Sequence, residues 1–449
     1  MRRVELLLSA LLALPVAACG PSSPRVAPGG AVVPFYDRSA SASPIRHVVI
    51  VMQENRSFDN VFAGFPGADA PMVGRLADGK IVPLRTITFN GYDVDHSYYA
   101  SVQDYNNGRM DRFEFNGAGP KYKPAGLYAI SHLSRKEVAP YWVMAKQYTL
   151  ADAFFPTEHG ASWTAHLNII AGTTTITDTK ALVDFPSHYP FDCLAPKGTY
   201  SYTIDKWGNY RGHGPFPCFT QFATMADSLD AAGLSWKFYA EGLSYAAGGG
   251  YWSAFAAIHR VRYGPDWKNI VSPPPRVLTD IAKGRLANVS WVTPEWQYSD
   301  HGGGGATMGP SWVSAIVNEI GHSRYWNDTA VVILWDEWGG FYDNKVPPQL
   351  DFRGLGIRVP CIIVSAYARP GYVSHTQYED GSILKFVEQT FNLPPLGPTS
   401  EGYTDSRASS IADSFDFTQP PLTFRTIPAP LPASYFLRMR SSGRPPDDD

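Results

Sequence analysis

The sequence predicts an α/β protein, a three-layer α/β/α sandwich built on a mostly parallel sheet. Three apolar runs, at 48–52, 329–334 and 359–365, are continuous rather than alternating, which is typical of strands buried on both faces. Between such runs lie stretches like 311–321, where apolar residues recur at helical spacing. Polar side chains follow several of the runs directly, where open α/β sheets place their ligands.

The first residues predict an export signal. Arg2 and Arg3 precede a short apolar run, and Ala-Ala-Cys19 follows, as in a bacterial lipoprotein signal peptide over 1–18 with Cys19 lipidated. Ordinary signal cleavage is the alternative. Residues 19–44 are rich in Gly, Pro, Ser and Ala and predict a flexible tether. We therefore expect a periplasmic or cell-surface lipoprotein that meets the membrane only through Cys19.

A carboxylate and an amide follow the first predicted strand. The run 48–52 leads straight into Glu54 and Asn55. A core strand usually ends in turn residues, so these side chains indicate a site at the carboxyl end of the strand.

Two long segments, 60–130 and 175–285, are rich in Gly, Pro, Tyr and Asn, and we expect them to be loop insertions over one edge of the sheet. Cys193 and Cys218 flank part of the second segment. In an oxidising compartment they form a candidate disulfide, which would stabilise the fold by about 2–4 kcal/mol. Cys361 lies within an apolar strand and is predicted to be a buried thiol.

A hydroxyl group precedes the helical pattern at 167–171. Ser162 lies on a Gly-containing turn, and a hydroxyl at such a helix start can meet both a metal ion and an anionic phosphate. The alternative role for Ser162 is that of a helix N-cap.

A second acidic pair, Asp336 and Glu337, follows the strand at 329–334 and precedes two glycines. Two neighbouring acids repel each other unless a proton or a cation lies between them. Grouped with Glu54 and Asn55, they predict an oxygen-rich site for one divalent ion, whose identity the ligand types leave open. A helix cap or a surface ion pair is the alternative for each acid alone.

Three histidines lie in predicted loops beside polar or Gly residues: His96, His301 and, as a weaker candidate, His375. Imidazole can serve as a general acid or bind phosphate near neutral pH. The alternative for each is a solvated loop histidine.

The C-terminal part combines a helical pattern at 382–391 with a Pro-rich stretch over 419–449, which we expect to be a frayed tail. The catalytic domain is accordingly predicted to span 45–418.

A net charge of -3 argues against a nucleic-acid partner. Oligomeric state is not predicted.

Several motifs together resemble the bacterial phosphoesterase family that includes phospholipases C and an acid phosphatase. The resemblance covers about 45–395 and rests on Val51-Met-Gln-Glu-Asn-Arg-Ser-Phe-Asp59, 95–97, 107–111, Gly233-Leu-Ser-Trp-Lys-Phe-Tyr239, Trp335-Asp-Glu-Trp-Gly-Gly-Phe-Tyr-Asp343, Arg358-Val-Pro360, 367–373 and 382–386. It implies an alkaline-phosphatase-like fold, Ser162 as a nucleophile that becomes phosphorylated, and His96 and His301 as groups that bind phosphate or assist the leaving group. It also implies a single metal ion held by Glu54, Asn55, Ser162, Asp336 and Glu337.

The chain departs from the family pattern beside the expected site. His166 ends Ser162-Trp-Thr-Ala-His166, where the family usually has Pro-Asn-Arg after the nucleophile. Trp338 replaces a usual His, and so does Asp380. These changes predict retained phosphoester chemistry with an altered substrate preference or pH optimum.

The expected function is therefore a metal-dependent, acid-phosphatase-like phosphoesterase that acts through a phosphoserine. A phospholipase C that cleaves phospholipid diesters is the first alternative. A non-catalytic surface lipoprotein that retains the fold is the second.

Overall fold

An eight-stranded sheet forms the centre of the protein, in a computed structural model that describes residues 43–119, 121–241, 253–303 and 308–440. The strands are β1 (His47–Gln53), β2 (Val73–Arg75), β3 (Ile81–Pro83), β4 (Arg85–Ile87), β5 (Gly117–Ala118), β6 (Lys123–Pro124), β7 (Ser131–Leu133), β8 (Thr149–Phe154), β9 (Thr175–Thr177), β10 (Lys180–Val183), β11 (Tyr202–Asp205), β12 (Tyr210–Arg211), β13 (Trp236–Tyr239), β14 (Ile270–Val271), β15 (Val289–Val292), β16 (Thr329–Trp335), β17 (Val359–Ser365) and β18 (Tyr372–Ser374). The helices are α1 (Phe58–Phe62), α2 (Tyr98–Tyr105), α3 (Ala139–Gln147), α4 (Ser162–Ala171), α5 (Met225–Ala231), α6 (His259–Arg262), α7 (Arg276–Ala282), α8 (Gly309–Gly321), α9 (Asp380–Phe391) and α10 (Ala433–Arg438).

The strand order in the large sheet is β14-β13-β15-β1-β16-β17-β8-β18. Neighbours from β14 to β16 pair in parallel, as do β8 and β18, and only β17 runs against its neighbours. The central strand β1 is buried from Val48 to Met52, because both of its faces are covered. The predicted α/β class with a mostly parallel sheet is confirmed.

Helices cover both faces of the sheet. Trp291 of β15 donates its indole N–H to Ile169 of α4, and it lies level with Val332 of β16 across the sheet. Trp335 is three residues further along β16 and therefore points to the other face. There its ring contacts Tyr141 of α3 at 4.8 Å. The predicted three layers follow from these two contacts.

One strand direction differs from expectation. The sequence predicts a mostly parallel sheet, but β17 is antiparallel to β16 and carries its last residue, Ser365, to the opposite edge. Its hydroxyl donates to the carbonyl of Thr329, the first residue of β16. An apolar strand buried on both faces has the same pattern in either direction, so the sequence did not indicate the reversal.

The segment 175–285 is only partly an insertion. It contains the separate four-stranded sheet β12-β11-β10-β9, but it also supplies β13 and β14 to the large sheet. These strands have four and two residues, too few for periodicity to identify them.

The predicted disulfide between Cys193 and Cys218 is present, with 4.5 Å between the Cα atoms. Cys361 is a buried free thiol in β17, as predicted.

The C-terminal segment 419–440 packs on the domain, in contrast to the frayed tail predicted there. Trp326 donates its indole N–H to Leu422 O at 2.7 Å, and Asn318 donates to Ile427 O at 3.0 Å. Phe436 of α10 is fully buried. Apolar residues spaced among the prolines therefore anchor this segment.

The predicted signal peptide, Cys19 and most of the predicted tether lie outside the described residues, as do residues 441–449. None of the helices in the described ranges combines the length and the apolar character needed to cross a bilayer.

Phe436→Ala tests whether the C-terminal segment belongs to the folding unit. The Phe436 ring contacts Tyr298 and Trp312 at 5.6 and 5.3 Å, so we expect its loss to lower the free energy of unfolding by about 3–5 kcal/mol. Urea denaturation measures this change. The control Tyr435→Ala removes a ring that is 38% exposed and is expected to cost much less. Equal, small effects of the two substitutions would contradict the packing.

Candidate active site

The ends of β1 and β16 bring the two predicted acidic segments together. The strands are adjacent and parallel, and Gln53 lies level with Trp335, the last residue of each strand. Asn55 then adopts a left-handed backbone conformation with φ of 59°, which asparagine tolerates better than most residues. Its N–H donates to Asp336 Oδ1 at 2.9 Å, so one hydrogen bond joins the two loops.

Ser162 is the first residue of α4 and is fully buried. The N-cap position belongs to Ala161, so the alternative role predicted for Ser162, that of an N-cap, is not used. Burial raises the pKa of Asp336, and an interaction with the hydroxyl of Ser162 partly opposes this rise. The predicted nucleophile therefore lies beside the predicted metal ligands.

His166 is the residue of this site that the sequence analysis missed. Its Nε2 lies 3.2 Å from Glu54 Oε1 and 3.8 Å from Asp336 Oδ2, and all three residues are buried. The available signal was spacing, because residues i and i+4 share one face of a helix and His166 follows Ser162 by four. The sequence analysis treats His166 only as a departure from the Pro-Asn-Arg pattern of the family.

Oxygen atoms with unused lone pairs line the site. Several are buried and accept no hydrogen bond of normal geometry from the described residues: Glu54 Oε1 and Oε2, Asn55 Oδ1, Ser162 Oγ, Asp336 Oδ2 and Glu337 Oε1. Buried polar atoms in proteins nearly always have partners, so such a group needs a ligand. Donor atoms of Glu54, His166 and Asp336 all lie within 4.8 Å of one another. These residues fit a divalent cation.

Burial makes the three acids hard to ionise. It raises the pKa of Glu54 and of Asp336 to about 7, and the charge of Glu54 adds to the effect on Asp336. Burial likewise raises the pKa of Glu337 to about 8. For His166, burial lowers the pKa to about 4, so its imidazole is neutral at pH 7. A cation in this site would therefore displace protons from the carboxyl groups.

Two histidines orient the side chain of Asn55. Asn55 Nδ2 lies 3.0 Å from Nε2 of both His96 and His301. Nδ1 of His96 lies 2.8 Å from Val94 O, and Nδ1 of His301 lies 2.5 Å from Gly302 O. Both contacts require a proton on Nδ1, because a carbonyl oxygen only accepts hydrogen bonds. Each Nε2 is then an acceptor in the neutral ring, and the Asn55 amide must direct its NH₂ group to both.

The orientation of Asn55 leaves its Oδ1 for the metal site. The Nε2 atoms of His96 and His301 contact Asn55 in this structure, and their role in binding phosphate or assisting the leaving group stays a prediction. The rings of the two histidines are 5.5 Å apart, and Trp296 lies 4.7 Å from His301. The pair is thus built into the wall of the site.

Glycine is required where the second acidic loop passes the first. Gly339 has a φ of +66°, and a Cβ added to it would lie 2.1 Å from Asn55 O. Its N–H donates to Glu337 Oε2 at 2.7 Å.

The residues that depart from the family pattern have structural partners: Trp338 donates to the buried Asp104, and Asp380 accepts from Thr157 N–H.

His375 is not part of this cluster. It follows β18, which is three strands away from β16, a distance of about 14 Å at the usual strand spacing. Its Nδ1 contacts both carboxylate oxygens of the buried Asp152 at 2.9 Å, while its side chain is 63% exposed.

A buried arginine fixes both acidic loops. Arg358 donates to Asp343 Oδ1 at 2.9 Å and to Asp59 Oδ1 at 3.1 Å, and all three side chains are fully buried. Asp59 follows Glu54 and Asn55, and Asp343 follows Asp336 and Glu337. The motif residues around the site therefore include a structural ion-pair network.

Residues 45–394 match the model of the Phosphoesterase family. The chain is 25% identical to non-hemolytic phospholipase C of Pseudomonas aeruginosa, in an alignment that covers 86% of this chain and 59% of that protein. It therefore spans less than two thirds of that relative. It is 24% identical to phospholipase C B of Mycobacterium tuberculosis, with 86% of this chain and 82% of the relative covered.

A solved structure of an alkaline phosphatase superfamily protein from Vibrio parahaemolyticus also matches, with a TM-score of 0.39 and 11% identity over 82% of this chain and 72% of that one.

The raised carboxyl pKa values predict how pH affects stability in the presence of a chelator. A group whose pKa is higher in the folded state loses its stabilising contribution as pH rises through that value. We expect the free energy of unfolding to fall between pH 7 and 8.5, a window in which His166 is neutral in the folded state and largely neutral in the unfolded one. Urea denaturation at several pH values measures the slope. Glu337→Gln should make this fall with pH shallower. A free energy of unfolding that rises with pH in this window would contradict the raised pKa values.

Arg358→Met tests the ion-pair network. It leaves Asp59 and Asp343 buried without their cation, which typically costs about 3–5 kcal/mol. Denaturant unfolding measures the loss, with Arg85→Met at an exposed position as the control. Adding Asp343→Asn to Arg358→Met should recover part of the stability. Loss of less than about 1 kcal/mol in Arg358→Met would rule out a structural role for the network.

Proposed function

The chain belongs to the Phosphoesterase family, and on that premise we propose that it hydrolyses phosphoester bonds with Ser162 as the nucleophile. The family and its phospholipase C relatives support the enzyme class, a hydrolase acting on phosphoester bonds. The observation that carries the assignment of Ser162 is its position: a buried hydroxyl at the start of α4, beside carboxylates with unused lone pairs.

The cation would be held by Glu54, Asn55, Ser162 and Asp336, with Glu337 next in the chain to Asp336. All five side chains are buried, and donor atoms of Glu54 and Asp336 lie within 4.8 Å of each other. Bound there, a divalent cation supplies Lewis-acid stabilisation of the negative charge that develops on the phosphoryl group and on the nucleophile. Asn55 is oriented for this purpose by His96 and His301, which we assign as positioning residues.

The reaction is proposed to be a double displacement. Ser162 Oγ attacks phosphorus in line as the bond to the leaving oxygen breaks, and the proton lost by the hydroxyl is matched by one gained by the leaving group. Water then attacks the phosphoserine, the Oγ–P bond breaks, and a proton returns to Ser162. Burial of Ser162 keeps its hydroxyl in a fixed position for both steps.

The substrate class is proposed from the relatives. The curated relatives described above are phospholipases C, which favours a phosphodiester of the phospholipid headgroup type. The sequence analysis favoured a phosphate monoester instead, and this acid-phosphatase-like activity remains the alternative. Both classes present an anionic phosphoryl group to Ser162. A diester carries a second ester substituent and one negative charge, whereas a monoester carries up to two charges, so the substituent on the transferred phosphoryl group distinguishes them.

We also propose that the protein is exported and lipidated at Cys19. The support is the lipoprotein-type pattern before Cys19, together with the disulfide between Cys193 and Cys218, a bond that persists in oxidising compartments.

Ser162→Ala is expected to lower kcat by at least about 10³-fold, because it removes the attacking oxygen. The assay compares p-nitrophenylphosphorylcholine with p-nitrophenyl phosphate, across pH 5–8 and with or without chelator. Preference for the choline diester supports the phospholipase C assignment, and preference for the monoester supports the alternative. Trapping of a phosphoprotein by acid quench, absent in the variant, tests the covalent step.

The matched control is Ser314→Ala, at another buried helical serine whose hydroxyl donates to Pro310 O within α8. It should retain activity. Turnover that survives in Ser162→Ala contradicts the nucleophile assignment. A folded protein without turnover of either substrate, with any divalent ion, would favour the non-catalytic alternative.

A further inference from the structure

His166 occupies a position that neither the sequence motifs nor the expected ligand set assigns to the cation. It is fully buried on α4, one helical turn after Ser162. Its Nε2 lies 3.2 Å from Glu54 Oε1 and 3.8 Å from Asp336 Oδ2. Glu54 and Asp336 directly follow two different strands, β1 and β16, so the imidazole on α4 completes a triangle of donors from three segments of the chain.

One separation, the 3.2 Å between His166 Nε2 and Glu54 Oε1, matches that of ligands that share one ion, and the 3.8 Å to Asp336 Oδ2 is slightly longer. Atoms bound to a first-row ion at about 2.0–2.2 Å are roughly 3.0–3.6 Å apart. The donor atoms of Glu54, His166 and Asp336 all lie within 4.8 Å of one another, close enough to converge with small side-chain movements. A simple hydrogen bond between His166 and Glu54 would not require Asp336 Oδ2 to lie within 4 Å as well.

We propose that His166 is a ligand of the active-site cation, and that its nitrogen selects a borderline first-row transition ion such as Zn²⁺, Co²⁺ or Fe²⁺ over Mg²⁺ or Ca²⁺. The inference rests on the proposed function, since it concerns the same site. Carboxylate, amide and hydroxyl oxygens alone suit Mg²⁺ and Ca²⁺ well, whereas one imidazole nitrogen shifts preference toward ions that bind nitrogen strongly.

The position of His166 relative to Ser162 gives the ligand a second effect. The two residues face the same side of α4, so a cation bound by His166 also lies near the hydroxyl of Ser162. Two indole N–H groups hold this helix in place. Trp163 of α4 donates to Phe191 O at 2.9 Å, and Trp291 of β15 donates to Ile169 O of α4 at 3.2 Å. The metal, the nucleophile and the helix are thus fixed as one unit.

The test measures metal binding without substrate. Isothermal titration of chelator-treated full-length protein with Zn²⁺, Co²⁺, Mg²⁺ and Ca²⁺ gives the affinities. His166→Gln should weaken Zn²⁺ and Co²⁺ binding at least about tenfold, and Mg²⁺ and Ca²⁺ binding less than about threefold. His132→Gln is the matched control, because His132 is buried elsewhere and bonds to Thr86 and Leu133. It should leave all four affinities unchanged.

Two spectroscopic measurements make the test decisive. The visible spectrum of the Co²⁺ protein should change in His166→Ala and return when free imidazole is added to fill the space. Pulsed EPR of Cu²⁺-loaded wild-type protein should show a directly bound nitrogen, a result that does not depend on how any variant folds. Unchanged Zn²⁺ and Co²⁺ affinity in folded His166→Gln, or no bound nitrogen in the wild type, would overturn the proposal.

The outcomes separate this inference from the proposed function. Nitrogen ligation together with absent phosphoester turnover would uphold His166 as a ligand and remove the activity. Turnover that needs Ser162, in a protein whose ion has no bound nitrogen, would uphold the activity and overturn His166 as a ligand.

Discussion

The buried guanidinium of Arg358 is the interaction on which the site depends. It binds Asp59 and Asp343, which stand a few residues beyond the two acidic strand ends, and so fixes both loops against the same core. The reversal of β17 makes this possible. That strand enters the sheet at the edge where its neighbours end, because Val359 pairs with Phe154, the last residue of β8, and Cys361 pairs with Leu334 near the end of β16. Arg358, which precedes Val359, therefore lies beside the acidic loops and contacts Asp59 and Asp343. A parallel strand in this position would carry its first residue to the far edge.

The candidate site combines several features that each lower the stability of the fold. Three buried acids with raised pKa values, a neutral buried histidine and an asparagine in a left-handed conformation are each costly in isolation. The surrounding structure holds them through Gly339, which leaves room for Asn55, and through the two histidines that orient its amide. A bound cation would offset the repulsion between the carboxylates, and the proposed phosphate ester would carry the matching negative charge.

The sequence predicted the fold class and most residues of the candidate site for a clear physical reason. Continuous apolar runs identify strands covered on both faces, and a strand followed by acids instead of turn residues marks the ligand edge, as at Glu54 and Asp336. It did not predict the direction of β17, since burial patterns are blind to direction, nor strands as short as β14. His166 was missed because it was compared with a family motif, when its spacing from Ser162 on α4 carried the information.

The position of β1 at the centre of the sheet has a consequence for biosynthesis. Val48 pairs with Val289 on one side and with Ala330 on the other, so both partners of this apolar strand lie roughly 240 residues or more further along the chain. At about 5–20 residues per second, a ribosome takes on the order of 10–50 s to make that distance. For this time the strand that ends in the active site has no sheet to join. The newly made chain therefore has to be kept from aggregating until its last third has emerged.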